Sequence, residues 1–494
     1  MCVVIFTSLP SLNMAENRIT GCAIYLLDFF YIDIYLNISQ YIRYRPEILP
    51  LPVMTGDVAQ VLFVYTFFLF IFKIKIRYDE PFIFNIFILQ GVMIVEENFI
   101  RFAGRMDQLP PYLFGMINKM KMEKRRRGDD VIDLGMGNPM DPTPDAVIEK
   151  LVEVAKDPKS HRYPETSGMP HLKQEIAKYY KRHYDIDLDA EKETYFTIGS
   201  KEGISHLCLA IMGPGDSVLV PAPAFPIHIY AAVIAGANVM RIPIAPEQGF
   251  LDRIINICES CYPAPKVLML NYPHNPTGVV TDTAFFEEIV ALAKRFKFMV
   301  INDFAYSMIT FDGYKAPSFL EAPGAKDVGV EFGSFSKSYN MAGWRIGYCV
   351  GNEQIVKALG QIKGYFDYGI FSAIQVAGII ALRDCDDTIP VLARTYENRR
   401  NVLCSGLSRM GWDITPPKAG MFVWAKIPAP FDKMGAMQFA IEMMDRANVA
   451  VAPGTGFSEE GEGYLRLALV ENEERLRQAM RQMKKAMDAL AAEL

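Results

Sequence analysis

The sequence is poor in the features that mark several large classes of protein. Its eight cysteines, Cys2, Cys22, Cys208, Cys258, Cys261, Cys349, Cys385 and Cys404, are scattered over 494 residues, which excludes a disulfide framework and fits a reducing, cytoplasmic setting. Cys258 and Cys261 have C-x-x-C spacing, but no second Cys or His pair with zinc-like spacing accompanies them, so no metal site is expected. Basic residues are not in excess: the net charge is -6, which weighs against nucleic acid as a partner. There is no G-x-x-x-x-G-K-[ST] run, and no G-x-G-x-x-G follows a strand pattern. A nucleoside triphosphate or a dinucleotide is therefore disfavoured. Internal repeats and low-complexity tracts are also missing. What remains, 51% hydrophobic and 22% charged residues in a chain longer than a usual single domain, describes a globular protein with a large core.

The first hundred residues differ from the rest. They are dense in Ile, Phe, Tyr and Leu, yet VLFVYTFFLFIF (Val61–Phe72) and FIFNIFILQGVMIV (Phe82–Val95) both fall short of the ~20 apolar residues of a spanning helix. Val58–Phe72 reaches 15 residues with lysines on its C-terminal side, so a marginal anchor stays open. Two other readings stand beside it: a start codon placed too far upstream, since Met93 and Met106 lie just before the pattern changes, and a real but poorly ordered extension. The upstream start is the expectation for residues 1–101, and membrane attachment is not. No basic residue precedes the first apolar stretch and no small-residue cleavage site follows it, so a secretory signal is not expected.

From Thr194 onward, short β-rich runs alternate with helical patterns, which predicts an α/β domain with a mostly parallel sheet. TYFTI leads into Gly199, Ser200 and a helix; SVLVP into a turn reaching Phe225; KVLMLN into YPHNPTG; FMVIN into Asp303; and VGVEF into GSFSKSYNMAGWRIGY. Phe286, Ile289, Val290, Ala293 and Phe296 mark one face of a helix between two of these runs. After residue 385 a helix-rich stretch, GMFVWAKI, YLRLALV and a closing amphipathic helix (Glu473–Leu490) read as a smaller α+β domain. The chemistry-bearing residues fall just past the C-terminal ends of the strands, where open α/β sheets bind ligands.

Together these residues match one small molecule. Ser200 and Lys201 sit at a helix start with free backbone N–H groups, and Ser334, Ser336 and Arg345 add two hydroxyls and a guanidinium, all suited to a phosphate. Lys337 offers an amine for a Schiff base, and Asp303 a carboxylate for a ring nitrogen. Asn275 and Tyr306 can bond a ring oxygen, and Phe225 can stack on a ring face. Pyridoxal phosphate satisfies all of these demands.

From about Phe102 to the C-terminus the chain resembles the class I/II aminotransferases, pyridoxal-phosphate enzymes of fold type I. The resemblance is carried by IDLGMGNP, YPETSGMPHLK, TIGSKEG, PAPAFP, NYPHNPTG, NDFAY, SFSKSYNMAGWRIGY and YLRLAL. Within the family, LPPYLF, AFPIHIYAAVIAGA and YKAPS are similar to the bacterial alanine (glutamate–pyruvate) transaminase branch. The resemblance implies a large domain (145–384) built on a seven-stranded sheet between helices, a small C-terminal domain (385–494), and an N-terminal arm (102–144) joining the small domain. It implies Lys337 as the Schiff-base lysine and proton carrier, with Lys201 meeting phosphate through its backbone. Arg466 would grip the substrate α-carboxylate, Gly137 would admit it, Asn275 would border it, and Tyr163 would reach a phosphate in the partner subunit of a homodimer.

The implied reaction moves an amino group between an L-amino acid and a 2-oxo acid in a ping-pong cycle, with alanine and 2-oxoglutarate as the expected pair. KGYFDYGIF (Lys363–Phe371) has no arginine where aspartate-specific members read a side-chain carboxylate. That departure weakens an aspartate-specific reading; aspartate, diaminopimelate or broad specificity are kept as alternatives, together with C–S lyase chemistry on the same fold.

Overall fold

The computed structural model describes residues 85–89, 92–96, 100–244 and 249–493. Val58–Phe72, with its marginal anchor reading, lies outside the described residues. Part of the second apolar run forms a hairpin, β1 (Asn85–Leu89) antiparallel to β2 (Val92–Glu96). Among the described residues no helix is long and apolar enough to cross a membrane. The chain divides between Ala103 and Gly104, and the larger unit carries all that follows.

That unit opens with a helix, Leu113–Arg126, that buries Phe114, Ile117 and Lys121, and then a two-residue strand, β3 (Ile132–Asp133). The central sheet comprises β4 (Thr194–Thr197), β5 (Ser217–Ala222), β6 (Asn238–Pro243), β7 (Val267–Leu270), β8 (Met299–Asp303), β9 (Gly329–Ser334) and β10 (Gly347–Gly351). Its order is β4-β10-β9-β8-β7-β5-β6. Only β10 runs antiparallel, pairing Gly347 with both Thr197 and Ser334. The expected mostly parallel seven-stranded α/β sheet is thus present.

The reason lies in the runs themselves. All residues of β4, β5, β7 and β9 are buried, the pattern of strands covered on both faces rather than on one. On one face Pro170–Tyr184, Thr283–Phe296 and Ser372–Asp384 pack through Leu172, Ile176, Phe286, Ile289 and Ala377. On the other, Ser200–Ile211, Pro226–Ile234 and Glu353–Phe366 pack through Ile204, Leu207, Ala231 and Leu359. Each of the leucine, isoleucine and phenylalanine side chains among these, withdrawn from water, stabilises the fold by about 1.5–3 kcal/mol before entropy is charged against it. The edge strand β6 is mostly accessible and carries Arg241, paired with Glu459 at 3.2 Å.

A second core surrounds β11 (Phe422–Lys426), β13 (Ala452–Pro453) and β14 (Tyr464–Ala468), an antiparallel sheet with β14 in the middle. Its closing helix, Glu473–Ala491, is capped by Asn472, whose side chain accepts from the Arg475 amide at 2.9 Å. Glu473 and Glu474 in the first turn complement the helix dipole. β3 pairs in parallel with β12 (Val449–Ala450), so the segment carrying IDLGMGNP is bonded to the C-terminal part of the chain.

Candidate active site

β5, β7, β8 and β9 end at the same edge of the sheet. Because β10 is antiparallel, it begins at that edge, and Arg345, two residues before it, joins the residues delivered by the parallel strands. A cavity of about 610 Å³ opens there. Ser200, Lys201 and Phe225 line it, as do Asn275, Asp303 and Tyr306. The lysine-bearing stretch contributes Ser334, Ser336, Lys337 and Arg345, and the C-terminal core brings in Gly137 and Arg466. Tyr163 stands apart: it is 82% exposed, outside the cavity, with its ring 4.5 Å from that of Tyr368.

One end of the cavity is built for an anion. The helix Ser200–Ile211 starts without a side-chain cap, leaving its first N–H groups to a ligand. Gly199 before it has φ +83°, and a Cβ there would collide with the Arg345 guanidinium. A Cβ on Gly347 would come within 2.6 Å of the Ser200 nitrogen. Arg345 itself adopts a left-handed backbone, φ +56°, and donates to the Ala342 carbonyl at 3.0 Å. The Ser334 hydroxyl accepts from the Ser336 amide at 3.2 Å. Burial, with Arg345 nearby, lowers the Lys201 pKa, and its ammonium lies 5.8 Å from the Phe225 ring centre.

The middle of the cavity holds Asp303, buried at the end of β8, with the His228 Nε2 2.9 Å from its Oδ2. Asn271 donates to the Asp303 carbonyl at 2.6 Å and accepts from the Asn275 amide at 2.9 Å. Asn275 in turn donates to the Tyr306 hydroxyl at 3.1 Å. Burial pushes the Tyr306 phenol up, so it remains protonated. Lys337 donates to the Gly137 carbonyl at 2.6 Å. Burial, reinforced by Arg466 and Arg345, brings its amine down from 10.5 to about 7.

The far end is built around Arg466. Its guanidinium lies 3.9, 4.5 and 5.4 Å from the ring centres of Phe422, Phe457 and Phe114. It donates to Asn275 Oδ1 at 2.9 Å and to the Gly135 carbonyl at 2.8 Å, while its Nε has no partner. No carboxylate among the described residues forms an ion pair with it. Burial lowers its pKa to about 10. Gly137 faces the Phe422 ring, where a Cβ would come within 2.5 Å.

Four residues of this arrangement were not singled out by the sequence. His228, in the apolar helix Pro226–Ile234, and Asn271 buttress Asp303 and Asn275; buried Lys121 and half-buried Asp133 border the cavity as an ion pair. A lone histidine in PIHIYAAVI was the only local signal for the first. In the segment Lys363–Phe371, the wholly buried Lys363 ammonium is taken by Glu202 at 2.6 Å and Asp367 at 2.8 Å.

Residues 129–483 match the family described as aminotransferase class I and II. The chain is 48% identical to the glutamate-pyruvate aminotransferase AlaC of Escherichia coli (strain K12), over 77% of this chain and 92% of that one. It is 42% identical to an LL-diaminopimelate aminotransferase of Moorella thermoacetica, over 78% and 98%. Substrate-bound BacF from Bacillus subtilis superposes with a TM-score of 0.75 at 34% identity, covering 78% of this chain and 98% of that one. Family, fold and cavity agree: the chain is an enzyme belonging to the class I and II aminotransferases, a family that uses pyridoxal phosphate and acts on amino acids and 2-oxo acids.

Proposed function

We propose that the protein is a pyridoxal-phosphate-dependent alanine transaminase, exchanging an amino group between alanine and 2-oxoglutarate. The observation that carries the reading is the pair of basic groups at the two ends of the substrate position: a buried arginine that, among the described residues, has no counter-ion, and Lys337, whose amine is brought down to about 7. The 48% identity to a glutamate-pyruvate aminotransferase supports the choice of donor. The 42% identity to an LL-diaminopimelate aminotransferase supports a second reading, in which that longer amino acid is the donor.

The residues fit the cofactor. The uncapped helix start, Ser334, Ser336 and Arg345 would hold its phosphate, and the close approaches at Gly199 and Gly347 leave room for backbone contact. Asp303 would face the ring nitrogen, Asn275 and Tyr306 the ring oxygen, and Phe225 the ring face. When bound, pyridoxal phosphate supplies an aldehyde and a ring able to take up the electron pair left at the substrate α-carbon.

This chain's residues do the rest. Arg466, desolvated among three rings, takes the α-carboxylate as its missing counter-ion. The backbone at Gly137 lets the carboxylate approach. Nζ of Lys337, deprotonated in an appreciable fraction at neutral pH, leaves the Gly137 carbonyl, takes the proton from the substrate α-carbon and would hand it to the cofactor's aldehyde carbon on the other side of the amino nitrogen. Asp303 is braced by His228, so its carboxylate stays aimed at the ring position throughout.

The same proposal covers assembly, division and location. Tyr163 lies outside its own cavity against exposed Tyr368, an aromatic surface suited to a second copy of the chain, in which Tyr163 would reach the partner's phosphate. The pairing of β3 with β12 supports an arm (102–144) attached to a small domain (385–494), with 145–384 as the cofactor domain. Free thiols at Cys208, Cys349 and Cys404 support a cytoplasmic location.

The test is a screen of amino donors against pyruvate and 2-oxoglutarate with products identified. Alanine with 2-oxoglutarate is expected to be fastest, and Lys337→Ala to abolish it. A faster rate with LL-diaminopimelate would move the assignment to the second reading, and full turnover in Lys337→Ala would end the role given to that lysine.

A further inference from the structure

We propose that Lys121 and Asp133 form a positioning pair that keeps Arg466 open to a substrate carboxylate, an inference that rests on the reading of Arg466 given above. Lys121 belongs to the helix Leu113–Arg126, where a solvated lysine would be ordinary. Here it is turned inward with Phe114 and Ile117 and is 7% exposed. Its Nζ lies 2.5 Å from Asp133 Oδ2. The other oxygen of Asp133 accepts from the amides of Gly135 at 3.0 Å and Met136 at 3.2 Å.

That carboxylate therefore anchors a three-residue strip, Gly135–Gly137, with two outward-facing tasks. The Gly135 carbonyl receives Arg466, and the Gly137 carbonyl receives Lys337. Asp133 is also the carboxylate whose charge is felt at Arg466, alongside the phenols of Tyr306 and Tyr112. A site that must bind a carboxylate has placed one of its own close by. Left unpaired, Asp133 would compete with substrate for the guanidinium. Lys121 takes up that charge at Oδ2 while Oδ1 keeps the two backbone amides, so the anchor is kept and, among the described residues, the arginine stays without a counter-ion.

The experiment uses the holoenzyme and a probe with a carboxylate but no amine, propionate, with binding measured by calorimetry. KM and kcat for alanine, and single-turnover rates for ethylamine, which lacks the carboxylate, are measured alongside. Lys121→Met is expected to weaken propionate and raise KM for alanine by roughly ten-fold, the size of a close charge-pair change, with kcat and the ethylamine rate little altered. Adding Asp133→Asn removes the competing charge but keeps an oxygen for the two amides, so the double variant is expected to regain propionate affinity. Asp133→Asn alone is expected to bind propionate at least as tightly as the unaltered enzyme, which keeps the test decisive should Lys121→Met fail to fold. Unchanged affinity in Lys121→Met, no recovery in the double variant, or weaker binding in Asp133→Asn would overturn the proposal. Arg466→Leu separates the two layers. If it leaves propionate binding intact, the carboxylate-reading role of Arg466 fails; if it abolishes binding while Lys121→Met changes nothing, only the positioning pair fails.

Discussion

Replacing Lys337 by methionine in the cofactor-free protein should stabilise it, and by an amount that depends on pH in a way fixed by the site. The amine falls from 10.5 to about 7, chiefly through burial and then through Arg466 and Arg345. A fall of that size corresponds to ~5 kcal/mol against the protonated amine in the folded state. The sign follows from proton counting. Between pH 7 and 10.5 the unfolded chain holds a proton on this lysine that the folded chain does not, so stability rises with pH across that window. Below pH 7 both states are protonated and the full cost is present; above 10.5 both are neutral and it vanishes. Methionine, similar in length and never charged, is free of the cost at every pH. The Gly137 carbonyl loses its donor in the variant, but that loss does not vary with pH. Urea unfolding of both proteins at pH 6, 8 and 10 should therefore show a stability difference that moves against the variant by a few kcal/mol as pH rises. A difference that stays constant from pH 6 to pH 10 would refute the claim that this amine is desolvated and crowded by two guanidinium groups.

Gly199→Ala places a side chain at φ +83° against Arg345, so it should loosen pyridoxal phosphate by ten-fold or more, roughly the 1–3 kcal/mol of a strained backbone position; an absorbance titration of cofactor binding that matches the unaltered protein would dismiss the phosphate role of this helix start. Asp303→Asn, which keeps the shape and removes the charge beside His228, should lower kcat by a factor of hundreds or more, consistent with a buried charge acting only as the reaction proceeds (~3 kcal/mol or more); steady-state kinetics with kcat preserved would rule it out as the ring-nitrogen partner.

Much of the fold was legible because a parallel sheet leaves a plain signature: apolar runs such as SVLV and KVLML, each followed by a turn and a helical period. β10 escaped because GYCVG is short and lies inside the stretch that also holds Lys337, and β6 because an edge strand with Arg241 facing out lacks a continuous apolar run. That Ser200, Ser334, Ser336 and Arg345 would line one cavity could be read from residue types, since hydroxyls, a guanidinium and a helix start all suit the same ligand. Arg466 could be placed only through resemblance, because an arginine in YLRLAL looks like any strand arginine until its three aromatic neighbours are known. His228 was invisible for a related reason. Its meaning depends on Asp303, 75 residues away, and a histidine among isoleucines and alanines otherwise reads as core. Lys121 and Asp133 lie 12 residues apart, and nothing in the sequence pairs a lysine on one helix with an aspartate at the end of β3.

The bond between Arg466 and the Gly135 carbonyl joins residues 331 apart, and Lys337 reaches Gly137 across 200. On the ribosome, all seven strands of the central sheet are made well before β14 emerges, so a nascent chain passes through a stage that has Lys337 but not Arg466. During that interval the apolar faces later covered by β14 and the closing helix are open to water and to chaperones, and long-range pairings of this kind form slowly. On the proposed role of Arg466, the part of the site that reads amino acids is made after the sheet, and loss of β14 should leave a chain that holds cofactor yet fails to bind amino acids.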